Sequence, residues 1–266
     1  MSTTQSPPAV QRVQLSRPEP HLAQVTLMGD GRFNLMSYAM LRELWTTANR
    51  IQEDREIRVV MVSGTQGVFS AGMNLKQPEV SQFEQYTVEE RLDIHSLGAR
   101  ACAAWEGLDA VTIAAIEGPC MGGGVAFAVA CDFRVAASDA KLWVPELKHG
   151  MNMSWQSVPR IVSLVGPARA RKLVMLAAQI DPATAAEWGL VDEVAAPGQA
   201  LARSLEMART LLSIPPAPLR MSKHAIGVAA NALNHAVSYM DLEQYAVCQS
   251  TDAHREALSA FMQRKG

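Results

Sequence analysis

Two short glycine turns, each placed between an apolar strand-like run and a helical pattern, constrain the fold of this chain more than any other feature. The first turn, Phe-Ser-Ala-Gly-Met-Asn-Leu-Lys at residues 69–76, follows the apolar run 57–62. The second, Gly-Gly-Gly-Val-Ala-Phe at residues 122–127, follows the apolar run 111–116. Strand, glycine turn and helix therefore occur twice in the same order, although the two units share no detectable sequence repeat. This order predicts an α/β fold with both turns at the ends of strands.

Backbone N–H groups at two such turns can act together on one oxygen atom. Glycine lets the backbone approach a ligand closely, and the start of a helix carries a partial positive charge. Two N–H groups placed in this way form a pair suited to a developing oxyanion. Glu146, a lone carboxylate in a later segment, is a candidate acid or base. The combination indicates chemistry that passes through an enolate.

Other catalytic motifs do not fit the sequence. Gly67 and Gly72 have the spacing of a phosphate-binding loop, but Met73 stands where that loop requires a lysine. Residues 122–127 lack the third glycine of a dinucleotide-binding turn, and Ser70 does not lie in a Gly-x-Ser-x-Gly elbow. The six histidines include no His-Glu-x-x-His and no pair four residues apart. We therefore expect no metal site.

The composition is that of an ordinary globular protein. Hydrophobic residues make up 48% of the 266 residues and charged residues 19%, so the chain is expected to bury a full core. A net charge of -2 gives no broad footprint for nucleic acid. The most apolar region, residues 110–131, is interrupted by Glu117, Pro119 and three glycines. We expect no membrane span.

The chain is expected to be cytoplasmic. Its four cysteines form no Cys-x-x-Cys pair and sit mostly among apolar neighbours, which favours reduced, buried thiols. Residues 1–9 are polar and have no basic stretch followed by an apolar one, so no secretory signal is expected.

The pattern of elements predicts one α/β core followed by helices. Residues 10–15 and 23–28 are expected to pair as strands around a turn at 17–20, and Ser37 is expected to cap a helix. Pro197-Gly198 is the best candidate boundary, which divides the chain into a core, residues 1–197, and a helical region, residues 198–266. We also expect a helix at 87–105, strands at 132–136, 141–144 and 190–195, helices within 155–188, and a break in the last helices at 215–218.

Several segments, taken in their order and spacing, resemble the enoyl-CoA hydratase/isomerase, or crotonase, family. Each fragment is weak alone, but together they are specific and cover almost the whole chain. They are Asn34-Leu35, Phe-Ser-Ala-Gly-Met-Asn-Leu-Lys, Gly-Gly-Gly with Ala130-Cys131-Asp132 behind it, Pro145-Glu146, Ala-Glu-Trp-Gly-Leu-Val at 186–191, Ser222-Lys223, and Glu-Ala-Leu-Ser-Ala-Phe at 256–261.

The resemblance implies a crotonase-like spiral of ββα units with a C-terminal helical trimerisation region, the trimers often pairing into hexamers. It implies an acyl-CoA thioester as substrate and no separate cofactor, because coenzyme A is part of the substrate. The oxyanion donors would be the backbone N–H groups of Met73 and Gly123, with Glu146 as the acid/base. The residues that would bind CoA are Arg32, Phe33, Asn34, Leu35, Ala71, Asn74, Leu75 and Lys76.

The sequence departs from the hydratase pattern at one position. Hydratases of this family carry two glutamates that hold and activate water, whereas this chain has Ala126 at the first position and Glu146 at the second. One carboxylate suffices to take a proton from the carbon next to the thioester and return it two carbons further along. The chain is therefore expected to isomerise enoyl-CoA double bonds.

Three alternatives stay open. Hydration would need another water-holding group. Of the polar residues that follow Glu146, namely His149, Asn152 and Ser154, the histidine or the serine could position water. Another reaction of the family, such as hydrolysis or carbon–carbon cleavage by a lyase, would use the same oxyanion site. The third alternative is a non-catalytic acyl-CoA binder.

Two acidic residues also have structural interpretations. Glu146 lies near Lys141 and Lys148 in the sequence and could pair with either of them on the surface. Asp132 is expected to be a buried structural partner that fixes the strand after the second glycine turn.

Overall fold

The computed structural model describes residues 10–81 and 85–263, and two parallel-rich sheets organise them. The strands are β1 (Val13–Glu19), β2 (Leu22–Leu27), β3 (Val59–Ser63), β4 (Val111–Ile116), β5 (Pro119–Met121), β6 (Phe133–Ala137), β7 (Lys141–Trp143) and β8 (Glu193–Ala195). The main sheet has the order β1-β2-β3-β4-β6-β8, and only its β1–β2 pair is antiparallel. β5 and β7 form a small parallel sheet.

Helices connect the strands and dominate the second half of the chain. They are α1 (Tyr38–Glu53), α2 (Pro78–Ser81), α3 (Val88–Glu106), α4 (Gly123–Ala128), α5 (Ser157–Val174), α6 (Pro182–Trp188), α7 (Ala200–Ser213), α8 (Pro216–Asn231), α9 (Asn234–Ser238), α10 (Asp241–Gln249) and α11 (Asp252–Gln263). A short 3₁₀ helix, Glu146–His149, follows β7. The break predicted at 215–218 lies slightly earlier, at residues 214 and 215, because α7 ends at Ser213 and α8 begins at Pro216.

Capping residues start the two long helices that pack on each other. The Ser37 hydroxyl accepts the Met40 N–H at 3.2 Å, which confirms the predicted N-cap of α1. At the start of α3, Thr87 and Glu90 form a reciprocal capping box. The buried face of α1 lies against α3 and continues the apolar core of the sheet.

The centre of the main sheet is buried on both faces. Every residue of β3 and β4 is buried, as expected for parallel strands that are covered on both sides. α7 packs on β3, β4 and β6 and buries Ala200, Ala208 and Leu211. This helix follows Pro197-Gly198, so the region after that boundary contributes to the core. The division of the chain at residues 197 and 198 stays a prediction.

Asp132 fixes α8 to the sheet, in agreement with its expected structural role, but its side chain is 25% exposed rather than buried. Its Oδ2 atom accepts the Thr112 backbone N–H at 2.7 Å and the Lys223 ammonium at 2.6 Å. Because the Lys223 side chain is almost fully buried, the ion pair neutralises a charge that would otherwise be costly to bury.

The turn between the first two strands lies later than the sequence predicts. β1 continues through Pro18 to Glu19, and the chain reverses at His21, which has a φ of +62°. β1 is the edge strand of the sheet, and its register with β2 is irregular between Ser16 and Glu19. Proline is tolerated at such a position because its missing N–H removes no necessary ladder bond.

Across residues 10–81 and 85–263, no helix has both the length and the apolar character that crossing a bilayer requires. The expectation that no secretory signal is present concerns residues 1–9, which lie outside the described residues.

Candidate active site

The two glycine turns lie against each other. A Cβ atom built on Gly72 would be 3.4 Å from the Gly123 nitrogen and 2.8 Å from the Met121 carbonyl oxygen. Gly72 has a φ of +92°, and Gly122 has φ +51° with ψ −116°. L side chains rarely adopt such conformations. Glycine at these two positions therefore permits the close approach of the turns.

The turns leave two backbone N–H groups available for a ligand. The Met36 N–H donates to Gly72 O at 2.8 Å, and the Asn74 N–H donates to Met36 O at 2.7 Å. These bonds engage the carbonyl group before Met73 and the N–H group after it. The N–H group of Met73 itself donates to no acceptor among the described residues. Gly123 is the first residue of α4, where an N–H has no intrahelical acceptor, and within the described chain it donates to none. The structure thus brings together the turns that carry both predicted oxyanion donors.

The Glu146 carboxyl group lies beside the second turn. A Cβ atom on Gly122 would be 2.7 Å from Glu146 Oε1. The Oε2 atom is buried and has no hydrogen-bond partner in the described structure. Lys148 is exposed and its ammonium lies 5.4 Å from the centroid of the Trp143 ring. The interpretation of Glu146 as a member of a surface ion pair is therefore wrong.

The short helix that carries Glu146 is held by α11. The His149 carbonyl oxygen lies 3.1 Å from Nδ1 of His254, a buried residue of α11. Gly150 has a φ of +67°, and a Cβ atom there would be 2.8 Å from the His254 Cα. The Met151 N–H donates to Glu146 O at 3.0 Å and closes the turn. The position of Glu146 thus depends on a helix that lies more than a hundred residues later in the sequence.

Burial changes the acidity of Glu146. Removal from water raises the pKa of its carboxyl group from 4.5 to about 7, against a smaller opposing effect of its own backbone N–H. A group that titrates near neutral pH can both accept and return a proton under physiological conditions. Glu146 therefore has the acidity that a proton shuttle needs.

We expect Glu146→Gln to gain thermal stability relative to wild type as the pH rises from 5 to 8. The folded carboxyl group holds its proton up to a pKa of about 7, whereas the unfolded one releases it near 4.5. The stability that Glu146 contributes is therefore present below pH 4.5 and is lost as the pH rises through 7. Glutamine does not titrate. The difference in unfolding free energy between Glu146→Gln and wild type should therefore grow by at most about 3 kcal/mol over this pH range.

Thermal unfolding of both proteins at several pH values measures this gap. Glu53→Gln, which replaces an exposed carboxyl group on α1, is the matched control and should show no comparable growth with pH. A constant difference between Glu146→Gln and wild type from pH 5 to 8 would contradict the raised pKa.

A cavity of about 220 Å³ opens beside Glu146 and the two turns. Segments from distant parts of the chain line it, including the turns, α3, the run 151–156, α10 and α11. Ala126, at the position where hydratases of the family carry a glutamate, also lines the cavity and is buried. A methyl group therefore stands in the wall where a second carboxylate would be.

Three other titratable side chains that line the cavity, His95, Tyr245 and Asp241, are not placed to act as the proton shuttle. Burial lowers the pKa of His95 to about 4 and raises the pKa of Tyr245 to about 12, so both side chains are neutral at pH 7. Asp241 also lines the cavity, and burial raises its pKa. Its Oδ2 atom accepts the Gln156 N–H at 2.8 Å, which commits that carboxylate to holding the cavity wall.

The predicted CoA-binding residues form two loops that run side by side. The Ala71 N–H donates to Phe33 O at 3.0 Å, which links the loop of residues 32–35 to the first glycine turn. Arg32 and Phe33 are exposed, and the guanidinium group lies 4.5 Å from the Phe33 ring centroid. Lys76 is exposed as well, whereas Leu35 is partly buried. Ala71 and Leu75 line the cavity.

Two of these residues use their side chains to build the loops. Asn34 is buried, and its amide nitrogen donates to Phe69 O at 2.6 Å and Val68 O at 3.2 Å. The Asn74 amide donates to Asp30 at 2.8 Å. A role in CoA binding would therefore come from the backbone or position of these loops. The assignment of all eight residues to the CoA site stays a prediction.

The three polar residues that follow Glu146, His149, Asn152 and Ser154, all line the cavity. Trp155 forms part of its wall, because a Cβ atom on Gly123 would lie 2.9 Å from the indole Cη2. A side chain at Gly98 of α3 would overlap the same indole ring.

Sequence reasoning did not identify the part of the cavity that comes from α9 and α10. Ser238, Asp241 and Tyr245 line it together with Phe261 of α11. A periodic apolar pattern shows that a helix buries one face but does not show which cavity that face meets. Among the described residues, no group of three or more His, Cys, Asp or Glu side chains is arranged to hold a metal ion.

Solved structures define the class of this fold. The crystal structure of an enoyl-CoA hydratase from Mycobacterium avium subsp. paratuberculosis K-10 superposes with a TM-score of 0.85 at 22% sequence identity, over 96% of this chain and 97% of that one. The architecture is therefore that of the crotonase-like α/β proteins, which confirms the predicted fold class. The model of the enoyl-CoA hydratase/isomerase family matches residues 17–266. The chain belongs to the enoyl-CoA hydratase/isomerase family.

Curated relatives of this chain include both hydratases and an isomerase/hydratase. The short-chain-enoyl-CoA hydratase of Clostridium acetobutylicum is 28% identical over 248 residues, which cover 93% of each chain. The enoyl-CoA isomerase/hydratase fer4 of Mycosarcoma maydis is 33% identical over 218 residues, which cover 80% of this chain and 77% of the relative.

Proposed function

We propose that the protein is an acyl-CoA enzyme that isomerises 3-enoyl-CoA to 2-enoyl-CoA, with Glu146 as the proton shuttle. The observation that carries this proposal is the buried Glu146 carboxyl group beside two glycine turns whose Met73 and Gly123 N–H groups are available. The cavity next to them receives the acyl chain.

The proposed reaction moves one proton along the acyl chain. The Glu146 carboxylate takes a proton from C2, and the electrons of the broken C–H bond delocalise into an enolate. The enolate oxygen accepts hydrogen bonds from the Met73 and Gly123 N–H groups, each worth about 3–4 kcal/mol in comparable oxyanion holes. Glu146 then returns the proton to C4, and the double bond moves from C3–C4 to C2–C3. The enzyme ends the cycle with Glu146 ionised again.

The loops that carry the eight predicted CoA-binding residues support an acyl-CoA substrate. Two of these residues, Arg32 and Lys76, are exposed cations beside the loops that lead to the cavity. Cations at this position suit the phosphates of coenzyme A. The thioester carbonyl would then lie at the paired turns and the acyl group beyond it.

Hydration is the second candidate function, because the Clostridium relative is named a hydratase. In this chain Ala126 replaces the first of the two water-holding glutamates. Among the described residues that line the cavity, Asp241 is the only carboxylate besides Glu146, and it accepts the Gln156 N–H. We therefore place isomerisation ahead of hydration.

Product analysis of 2-enoyl- and 3-enoyl-CoA thioesters tests the proposal. We expect 3-enoyl-CoA to give a product of unchanged mass with new ultraviolet absorbance from conjugation. Gain of one water from 2-enoyl-CoA would establish hydration instead, and release of free CoA would establish hydrolysis. Binding without any product or exchange of α-protons in heavy water would identify a non-catalytic acyl-CoA binder.

We also propose that the protein assembles as a homotrimer or a dimer of trimers and acts in the cytoplasm. Apolar side chains on the last helices are widely exposed, among them Met221 at 71%, Val228 at 74% and Leu233 at 72%. Packing against a sister subunit would remove these side chains from water.

A further inference from the structure

The wall of the cavity contains polar atoms that the proposed reaction does not use. Both side-chain amide atoms of Asn152 are buried and have no hydrogen-bond partner among the described residues. The Ser238 hydroxyl oxygen is in the same situation. Both residues line the cavity beside Glu146. Buried polar groups in native proteins are almost always satisfied, so these atoms indicate a partner outside the chain.

Asn152 and Ser238 reach the cavity from separate parts of the chain. Asn152 lies between Met151 and Met153, two buried apolar residues on the run that follows the 3₁₀ helix. The Tyr245 hydroxyl lies 3.5 Å from Met151 Sδ and holds that run against α10. Ser238 is the last residue of α9 and comes from a different part of the chain. An amide and a hydroxyl therefore reach one cavity from two unrelated elements.

The charges around the cavity limit what these groups can bind. Asp241 also lines the cavity, so its carboxylate would repel an anionic substituent. His95 is neutral because burial lowers its pKa to about 4, and thus it supplies no compensating positive charge. An amide and a hydroxyl each offer a donor and an acceptor, which match a neutral hydroxyl group.

We propose that the cavity selects acyl groups that carry a neutral hydroxyl substituent, which Asn152 and Ser238 bind. The hydroxyl donates to Asn152 Oδ1 and accepts from the Ser238 hydroxyl. This inference rests on the proposed function in one respect, namely that the cavity receives the acyl group of a CoA thioester. It adds a substrate class to that function.

Calorimetric binding of saturated thioesters tests the inference without requiring turnover. The probes are a series of ω-hydroxyacyl-CoA thioesters, with unsubstituted and ω-carboxyacyl-CoA thioesters of matching length for comparison. We expect the wild type to bind the best hydroxyl-bearing probe about tenfold more tightly than its unsubstituted counterpart, because leaving buried polar groups unpaired is costly. A wild-type preference for unsubstituted or ω-carboxyacyl probes would overturn the inference.

Two variants and a matched control assign the preference to the named residues. Asn152→Leu, which keeps the size of the side chain, should reduce the ratio of the two affinities to about one, and Ser238→Ala should reduce it in part. Ser204→Ala removes another buried hydroxyl without a partner in the described structure, but on α7 and away from the cavity lining. This control should keep the wild-type ratio.

A thermal unfolding measurement separates ligand binding from a structural role. The Asn152 amide has no partner among the described residues, so Asn152→Leu should not lower the unfolding temperature. If both Asn152→Leu and Ser238→Ala keep the wild-type affinity ratio, the inference is wrong, whatever the enzyme turns over. If the ratio changes as expected while 3-enoyl-CoA is not isomerised, the proposed reaction fails and the hydroxyl subsite stands. If no acyl-CoA binds, both fail.

Discussion

Glu146→Gln is expected to lower kcat for the isomerisation of 3-enoyl-CoA by about a thousandfold, within the range that loss of a general acid/base causes. Glutamine keeps the shape of the side chain but cannot accept the C2 proton. The carboxyl group it replaces is buried, lies against Gly122 and has a pKa of about 7. The appearance of conjugated product and the exchange of α-protons with heavy water should both be lost, because both begin with removal of the same proton.

The control for this variant is Asp241→Asn, which removes the second carboxylate that lines the cavity among the described residues. Asp241 accepts a backbone N–H and has no role in the proposed proton transfer, so its loss should affect turnover far less. Calorimetric binding of a saturated acyl-CoA shows whether each variant keeps its binding site. Near-normal turnover by Glu146→Gln would disprove the proposed mechanism.

Gly122→Ala is expected to lower kcat by about a hundredfold to a thousandfold, comparable to the loss of one oxyanion donor. The added methyl group would lie 2.7 Å from Glu146 Oε1, closer than nonbonded atoms approach. Either the carboxyl group or the turn that carries the Gly123 N–H must move. Because the φ of +51° is also unfavourable for alanine, we expect a loss of stability of about 1–3 kcal/mol.

Gly198→Ala separates the two effects of this change. Gly198 has a φ of +75°, but no neighbouring atom lies within 4 Å of the Cβ atom that alanine would add. This control should therefore lose stability through backbone strain alone and keep its turnover. Product formation by the two variants, compared at equal concentrations of folded protein, measures the difference. Normal turnover by Gly122→Ala would show that the contact between Gly122 and Glu146 is not needed.

Local sequence signals predicted the elements of the fold wherever they agreed with the tertiary structure. Ser37 caps α1, and β4 has the predicted bounds. Both signals, a capping hydroxyl and a continuous apolar run, act within a few residues. The sequence prediction placed the turn between β1 and β2 too early, because Pro18 normally marks a turn. Its acceptance within β1 depends on the edge position of that strand, which the sequence of the strand does not reveal.

The sequence also predicted one half of the candidate site. Gly72, Gly123 and Glu146 belong to motifs with distinctive residues, and the structure brings their segments together. Ser238 and Tyr245 come from helices that the sequence describes only as amphipathic, so their position beside the cavity depends on how those helices pack.

The packing of α11 on the Glu146 segment has a consequence for how the site matures during synthesis. A ribosome makes both glycine turns and Glu146 before it makes the helix that carries His254. A nascent chain that has reached residue 250 therefore contains every residue proposed for catalysis but lacks the helix that holds the carboxylate in place. Competence for the proposed reaction would then be acquired late, after most of the polypeptide has been made.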